Sequence, residues 1–300
     1  MLRSLIAFAS ENLVFAVMFF VGLQSRPEDL RDVGRRPALY LRALGVLLLA
    51  VPLLALALVS LARLPAETSL ALLLLAVCPG VAHLTTTAQK EGGSLVTALN
   101  VLLLSSLLTP LTLGLWLASI GPAYGLALAL PAREVFATTV PAVLGPLALG
   151  MLLHAALPGA VPVLTRFAQR IVSVALWLVI LLALARSGAF LLHVSPRTLL
   201  AFLAFVSGAA LLGHAAGGPR REDRIAVAIA AVYGNPALAL AIAQAHFPDS
   251  RARSVVDLYV LLRLLAVRPY KRWARAGARS DVEQRLPPPR PLGGARRAHA

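Results

Sequence analysis

Three things are scarce in this sequence: cysteine, acidic residues, and charge of either sign over most of its length. The single Cys78 excludes a disulfide within the chain. Only 13 residues are acidic, and neither the zinc-binding HExxH pattern nor a GxSxG nucleophile turn is present. We therefore predict that the protein is not an enzyme and binds no cofactor.

Charged residues make up only 14% of the chain and hydrophobic residues 59%, whereas a soluble domain is usually about 25% charged. Each long uncharged run reaches the roughly 20 residues that a helix needs to cross a bilayer. These runs are 43–62, 68–89, 94–132, 135–165, 198–219 and 225–248. The sequence predicts an all-α polytopic membrane protein embedded in a lipid bilayer.

Hydropathy and charge together predict about nine transmembrane helices. The predicted spans are 4–24, 38–62, 68–89, 94–117, 135–157, 169–192, 198–217, 225–247 and 254–268. Most of the 28 Lys and Arg residues then fall on one side of the membrane, which places the N-terminus outside and the C-terminus in the cytoplasm. We expect a multi-pass protein of the plasma (inner) membrane. The net charge of +15 follows from this topology and predicts no binding to nucleic acid.

The chain divides by composition into a transmembrane domain, residues 1–268, and a tail, residues 269–300. The tail ends in RLPPPRPLGGARRAHA, which is rich in Pro, Arg and Gly. Because it has few apolar residues with which to build a core, we predict a disordered basic cytoplasmic tail.

Helix-breaking residues and polar side chains interrupt two of the predicted spans, in CPGVAHLTTTAQKEGG and in YGNPALAL. Irregular backbone in a membrane is tolerated only where protein or a water-filled cavity satisfies it. Two interrupted spans, one in each half, indicate the binding site of a secondary transporter. The predicted substrate-binding residues are Pro79, Gly80, His83, Thr85, Thr86, Asn100, Gly234, Asn235 and Pro236.

The order and spacing of several motifs resemble those of the bile acid:sodium symporter family in its nine-helix form. The motifs are VMFFVGLQSRPEDLRDVGRRPALYLRAL, AVPLLALAL, CPG followed by QKEGG, and GNPALALAIAQAHFP. The resemblance implies a core domain with two broken helices that cross at mid-membrane, and a panel domain packed against it. It also implies alternating access and a substrate that is a small, amphipathic organic anion.

This chain departs from the family at the sodium ligands that the resemblance implies. Where the family has Ser, Asn, Thr, Glu and Gln, the matching positions hold Ala82, His83, Val96, Asn100, Ala230, Gly234 and Leu47. A sodium ion needs several oxygen ligands, and the carboxylate among them is missing. Thr85 or Thr86 could substitute for the Ser and Asn of the first break, but nothing nearby substitutes for the Glu. We therefore expect a divergent member in which family-type sodium coupling is lost.

Several alternatives stay open at this stage. His83 could carry protons or be a neutral hydrogen-bonding group. Arg186, Asp257 and Arg263 fall within spans, where a charge is a functional candidate. The predicted function is transport of a small organic anion. The alternative is a membrane protein derived from the same fold that binds or senses a ligand without transporting it.

Overall fold

The computed structural model describes residues 15–16, 18–26, 28, 30–80, 84–120, 132–171, 174, 194–247 and 252–285. His83, Ala82 and Arg186, as well as most of the predicted span 169–192, lie outside these residues. The described residues are helical apart from short connections and form no strand. The predicted all-α fold is confirmed.

The helices are numbered here in chain order. They are α1 (18–24), α2 (Leu30–Arg35), α3 (Pro37–Ala62, with a π-helical turn at Val46–Ala50), α4 (Ala66–Val77), α5 (Leu84–Lys90), α6 (Leu95–Ile120), α7 (Ala132–Ala156), α8 (161–171), α9 (Pro196–Ala216), α10 (Arg221–Val232), α11 (Pro236–His246), α12 (Ala252–Ala266) and α13 (Arg268–Arg285). Within the described residues, α3, α9 and 95–119 of α6 are each long and apolar enough to cross a bilayer.

The two interrupted spans predicted from the sequence are broken helices in the structure. One break separates α4 from α5, and the other separates α10 from α11. Helices α3, α6, α9 and α12 pack around these two pairs. Residues 70–77 of α4 and 225–232 of α10 are buried on every face, as expected of helices that are apolar all round.

The surrounding helices leave apolar side chains on the outside. Leu49 and Leu53 of α3 are exposed, and so are Leu149 and Leu152 of α7. These leucines would be unfavourable in water but match the hydrocarbon of a bilayer. The burial pattern therefore agrees with a polytopic membrane protein whose two broken helices occupy its centre.

Helices α1 and α7 meet at a close contact between Gly22 and Gly150. A Cβ added to Gly22 would lie 2.2 Å from the carbonyl oxygen of Leu147, and one added to Gly150 would lie 2.4 Å from that of Phe19. Small residues at such crossings allow two membrane helices to approach closely. Helices α1 and α7 therefore pack directly on one another, beside the central broken helices.

The prediction that the tail is disordered from residue 269 is wrong for its first part, because α13 runs to Arg285. Tyr270 and Trp273 pack against His214 of α9, with a hydrogen bond of 3.0 Å between the Tyr270 hydroxyl and His214 Nδ1. Arg275 donates to the carboxylate of buried Glu91 at 2.5 and 2.8 Å. These tertiary contacts stabilise α13, although its amino-acid composition alone predicts disorder.

We predict that Glu91→Gln weakens the docking of α13, because it removes the carboxylate that binds Arg275 and Lys271. Arg275 is half-exposed, so the expected effect is modest: trypsin should cleave α13 about fivefold faster. The matched control is Glu222→Gln, which alters an exposed carboxylate near the same surface. Equal cleavage rates in both variants would show that Glu91 does not hold the helix.

Candidate functional site

The two helix breaks meet at one point, which we call the crossover: residues 78–80 of the first broken helix and 233–236 of the second. Pro79 and Gly234 form an antiparallel backbone bridge, and the amide of Asn235 donates to the carbonyl oxygen of Cys78 at 2.6 Å. Pairing of this kind satisfies backbone groups that the breaks release inside the bilayer. The crossing of two broken helices is thereby confirmed.

Glycine is required on both sides of the crossover. Gly80 has φ +88°, a left-handed conformation that disfavours other residues. Gly234 allows a close approach instead, because an added Cβ would lie 2.6 Å from the carbonyl oxygen of Leu75. The backbones can therefore pair only because neither position carries a side chain.

Asn235 and Pro236 begin the half-helix α11 at the crossover. Asn235 is fully buried, and its Oδ1 accepts a hydrogen bond of 3.1 Å from the amide of Leu238, which is an N-cap. Pro236 takes the first helical position, where no amide is needed. The Nδ2 of Asn235 has no partner among the described residues, so a buried donor remains available at the positive end of the α11 dipole.

Two side chains of α12 contact backbone carbonyls at the second break, one at the end of α10 and one within the crossover. Tyr259 donates its hydroxyl to the carbonyl oxygen of Val232 at 3.0 Å, and Nη1 of Arg263 reaches the carbonyl oxygen of Gly234 at 3.4 Å. Arg263 is only 1% exposed. The structure therefore places this predicted charge site against the crossover.

Three of the positions that the resemblance assigns to sodium ligands line one small cavity beside the crossover: Leu47, Ala230 and Gly234. None of the three carries a side-chain oxygen. The hydroxyl in the described lining is that of Tyr259, which already donates to Val232. The cavity measures about 10 Å³, at most the space of one water molecule. Its residues do not fit the family's sodium ligand set.

The other predicted residues are distributed differently. Pro79 and Gly80 lie at the crossover, whereas Val96 is partly exposed to the surroundings. Asp257 is buried in the first turns of α12. Thr86 is half-buried in α5.

Thr85 contacts a residue that the sequence analysis did not single out. Its hydroxyl donates to Oε1 of Gln24 at 3.1 Å, and Gln24 is the last residue of α1. The Nε2 of Gln24 has no hydrogen-bond partner in the described part of the chain. A lone Gln at the end of a predicted span was the available sequence signal. The contact links α1 with the second half of the first broken helix.

Asn100 belongs to a second polar cluster, at the end of the bundle where α2 joins α3. Its Nδ2 donates to the hydroxyl of Tyr40 at 3.1 Å, and that hydroxyl donates to Asp32 at 2.5 Å. The contact joins α6 to α3. The assignment of Asn100 to substrate binding stays a prediction.

Arg36 connects Asp32 to a second carboxylate, that of Asp223 at the start of α10. The guanidinium pairs with Asp32 and lies 2.7 Å from Asp223 Oδ2, and the Thr97 hydroxyl donates to Asp223 Oδ1 at 2.5 Å. Burial alone would raise the pKa of Asp32, but hydrogen bonds from Arg36 and Tyr40 outweigh burial and lower this pKa. The cluster fastens α2, α3, α6 and α10 together.

We predict that Gly234→Ala disrupts the crossover, because the new methyl would overlap the backbone of α4. Overpacking of this kind should lower the free energy of unfolding by about 1–3 kcal/mol, measured as thermal unfolding in detergent. Gly45→Ala is the matched control, because its Cβ would meet nothing within 4 Å and it should stabilise by about 0.5–1 kcal/mol. A Gly234→Ala protein as stable as the control would contradict the close packing described here.

Comparison with known proteins agrees with this geometry. The model of the sodium bile acid symporter family matches residues 12–194, a range that contains the first broken helix but not the second. No curated protein matches the chain. The match covers more than half of the sequence, and the family is one of membrane transporters rather than enzymes. The chain belongs to the sodium bile acid symporter family.

Proposed function

We propose that this protein moves a small organic anion across the plasma membrane by alternating access, without the sodium coupling of its family. One observation carries the proposal: the crossover of two broken helices is intact, while three of the positions matched to sodium ligands, Leu47, Ala230 and Gly234, line a small cavity without a side-chain oxygen of their own. The intact crossover favours transport. The cavity without sodium ligands distinguishes this chain from a sodium-driven transporter.

An anionic substrate is supported by the donors near the crossover. The amino end of α11 carries the partial positive charge of a helix dipole. Two further donors have no hydrogen-bond partner in the described region. They are Nδ2 of Asn235 and Nε2 of Gln24, which lies at the contact between α1 and α5. These groups suit a carboxylate or another oxyanion better than a cation.

Loss of sodium coupling is supported by the physics of ion desolvation. A sodium ion that leaves water needs oxygen atoms to replace its hydration shell, and a carboxylate is the strongest of these. Ala230 occupies the position at which the resemblance implies that carboxylate. The lining around it is mainly apolar, and its one side-chain hydroxyl in the described residues, that of Tyr259, already donates to Val232.

Alternating access requires two groups of helices that can move relative to each other. The Gly22–Gly150 contact joins α1 to α7, and the hydrogen bond between Gln24 and Thr85 connects α1 to the first broken helix. A single side-chain hydrogen bond contributes only about 1 kcal/mol, so it can break and re-form during a cycle. We propose that the Gln24–Thr85 contact lies at the boundary between the two groups of helices that move.

The test is tracer uptake by purified protein in liposomes, with a radiolabelled bile acid and a radiolabelled small carboxylate as organic-anion probes. We expect uptake of at least one probe at the same initial rate in sodium and in choline medium. Uptake that depends on sodium would contradict the proposal. Liposomes that contain Gly234→Ala protein serve as the matched control for crossover-dependent flux.

A proton gradient supplies the second arm of the same experiment. If His83 carries protons, uptake will respond to an inward proton gradient and His83→Gln will abolish the response. If His83 is only a hydrogen-bonding group, the rate will not depend on pH. Binding of a probe without flux would favour the alternative of a non-transporting sensor.

A further inference from the structure

Helix α12 presents two donors to backbone carbonyls at the second break, four residues apart and therefore on one helix face. Tyr259 binds the carbonyl of Val232, and Arg263 binds the carbonyl of Gly234 at 3.4 Å. The carbonyl end of a helix carries a partial negative charge. In membrane transporters, the carbonyl ends of broken helices are where cations are bound.

The guanidinium of Arg263 occupies the position expected of a cation bound at a broken helix. Its Cζ lies 4.4 Å from the ring centroid of Tyr233 and 5.6 Å from that of Tyr259. The faces of aromatic rings attract cations, most strongly where water is excluded. Carbonyl oxygen and two rings thus surround the charge on the side of the crossover.

No carboxylate neutralises this charge among the described residues. The ion pairs found there involve Asp32, Glu91 and Asp223, and none of them includes Arg263. The Nε of Arg263 has no hydrogen-bond partner in the same region. An arginine stays charged in proteins, and burying a charge is costly unless it is compensated. The compensation available here comes from the carbonyl oxygen of Gly234, just beyond α10, and from the tyrosine rings.

We infer that Arg263 is a tethered cation of the crossover, which occupies the electrostatic role that a bound metal ion would otherwise have. The inference rests on the proposed function only in treating the crossover as that of a transporter. It adds the reason why sodium is not needed: the carbonyl oxygen of Gly234, in the break after α10, already faces a permanent positive charge.

Two other roles for Arg263 fit the structure less well. An arginine that snorkels would reach the membrane surface, but Arg263 is 1% exposed. An arginine that binds substrate would be exposed to a cavity, whereas Arg263 is almost fully enclosed and does not line the small cavity beside Gly234 and Tyr259. The guanidinium is enclosed by protein.

A tethered cation has a consequence for energetics. An ion that binds and leaves can transfer the energy of its gradient to the substrate, whereas an arginine stays on the same side chain throughout the cycle. The direction of net transport is then set by the substrate's own gradient, or by protons if His83 carries them. The crossover itself contributes no coupling to a metal ion.

The test measures thermal unfolding of the purified full-length protein in detergent and requires no transport. For the wild type, we expect the same melting temperature in sodium, potassium and choline chloride at equal ionic strength. A sodium site filled at 100 times its dissociation constant would raise the melting temperature by about 5–10 °C. A rise specific to sodium would overturn the inference.

Substitutions then test the charge itself. Arg263→Lys retains a cation and should unfold close to the wild-type temperature, whereas the neutral and similarly long Arg263→Met should unfold about 5 °C lower. If Arg263→Met cannot be purified while Arg263→Lys can, the charge is equally supported. Equal stability of the two variants would overturn the inference, as would failure of both to fold.

Chemical rescue separates a charge requirement from simple packing. Arg263→Ala should gain several degrees of melting temperature from millimolar methylguanidinium, which can occupy the vacated space. Arg197→Ala, which removes an exposed arginine at the start of α9, should gain nothing. A rescue that is equal in both variants, or absent in Arg263→Ala, contradicts a cation site. These results do not depend on flux, so a failure of the transport assay leaves them interpretable.

Discussion

The backbone pairing between residues 78–79 and 234–235 is the constraint on which the rest of the centre depends. Two helices stop in the middle of an apolar bundle, where each released amide and carbonyl needs a partner. The bridge from Pro79 to Gly234 and the bond from Asn235 to Cys78 provide some of these partners. Helix α12 provides others through Tyr259 and Arg263.

This arrangement divides the crossover into two electrostatic regions. The amino end of α11 keeps a buried donor on Asn235 and favours an anion. The carbonyl oxygen of Gly234, just beyond the end of α10, faces Arg263 and is already compensated. A chain with a fixed cation in the second region needs no acidic residue there to bind a metal ion. This explains why Ala230 can line an apolar cavity at the position where the family has a carboxylate.

The sequence predicted the fold better than it predicted the contacts of the site. Proline and glycine determine helix breaks locally, so Pro79, Gly80, Gly234 and Pro236 could be identified from spacing. The partner of Arg263 could not, because Gly234 lies 29 residues away, in the break between two other helices. The contact of Asn100 with Tyr40 could not be identified either, and α13 is ordered by contacts with Glu91 and His214 that composition does not reveal.

The central claim is that an arginine, and not a metal ion, compensates the carbonyl oxygen of Gly234 at the crossover, just beyond the end of α10. The most direct measurement is an experimental structure of the protein in sodium, at a resolution that distinguishes a bound ion from a side chain. We predict density for the Arg263 guanidinium against the carbonyl of Gly234, with no ion coordinated beside Ala230. An ion bound there, with Arg263 turned away, would contradict the account.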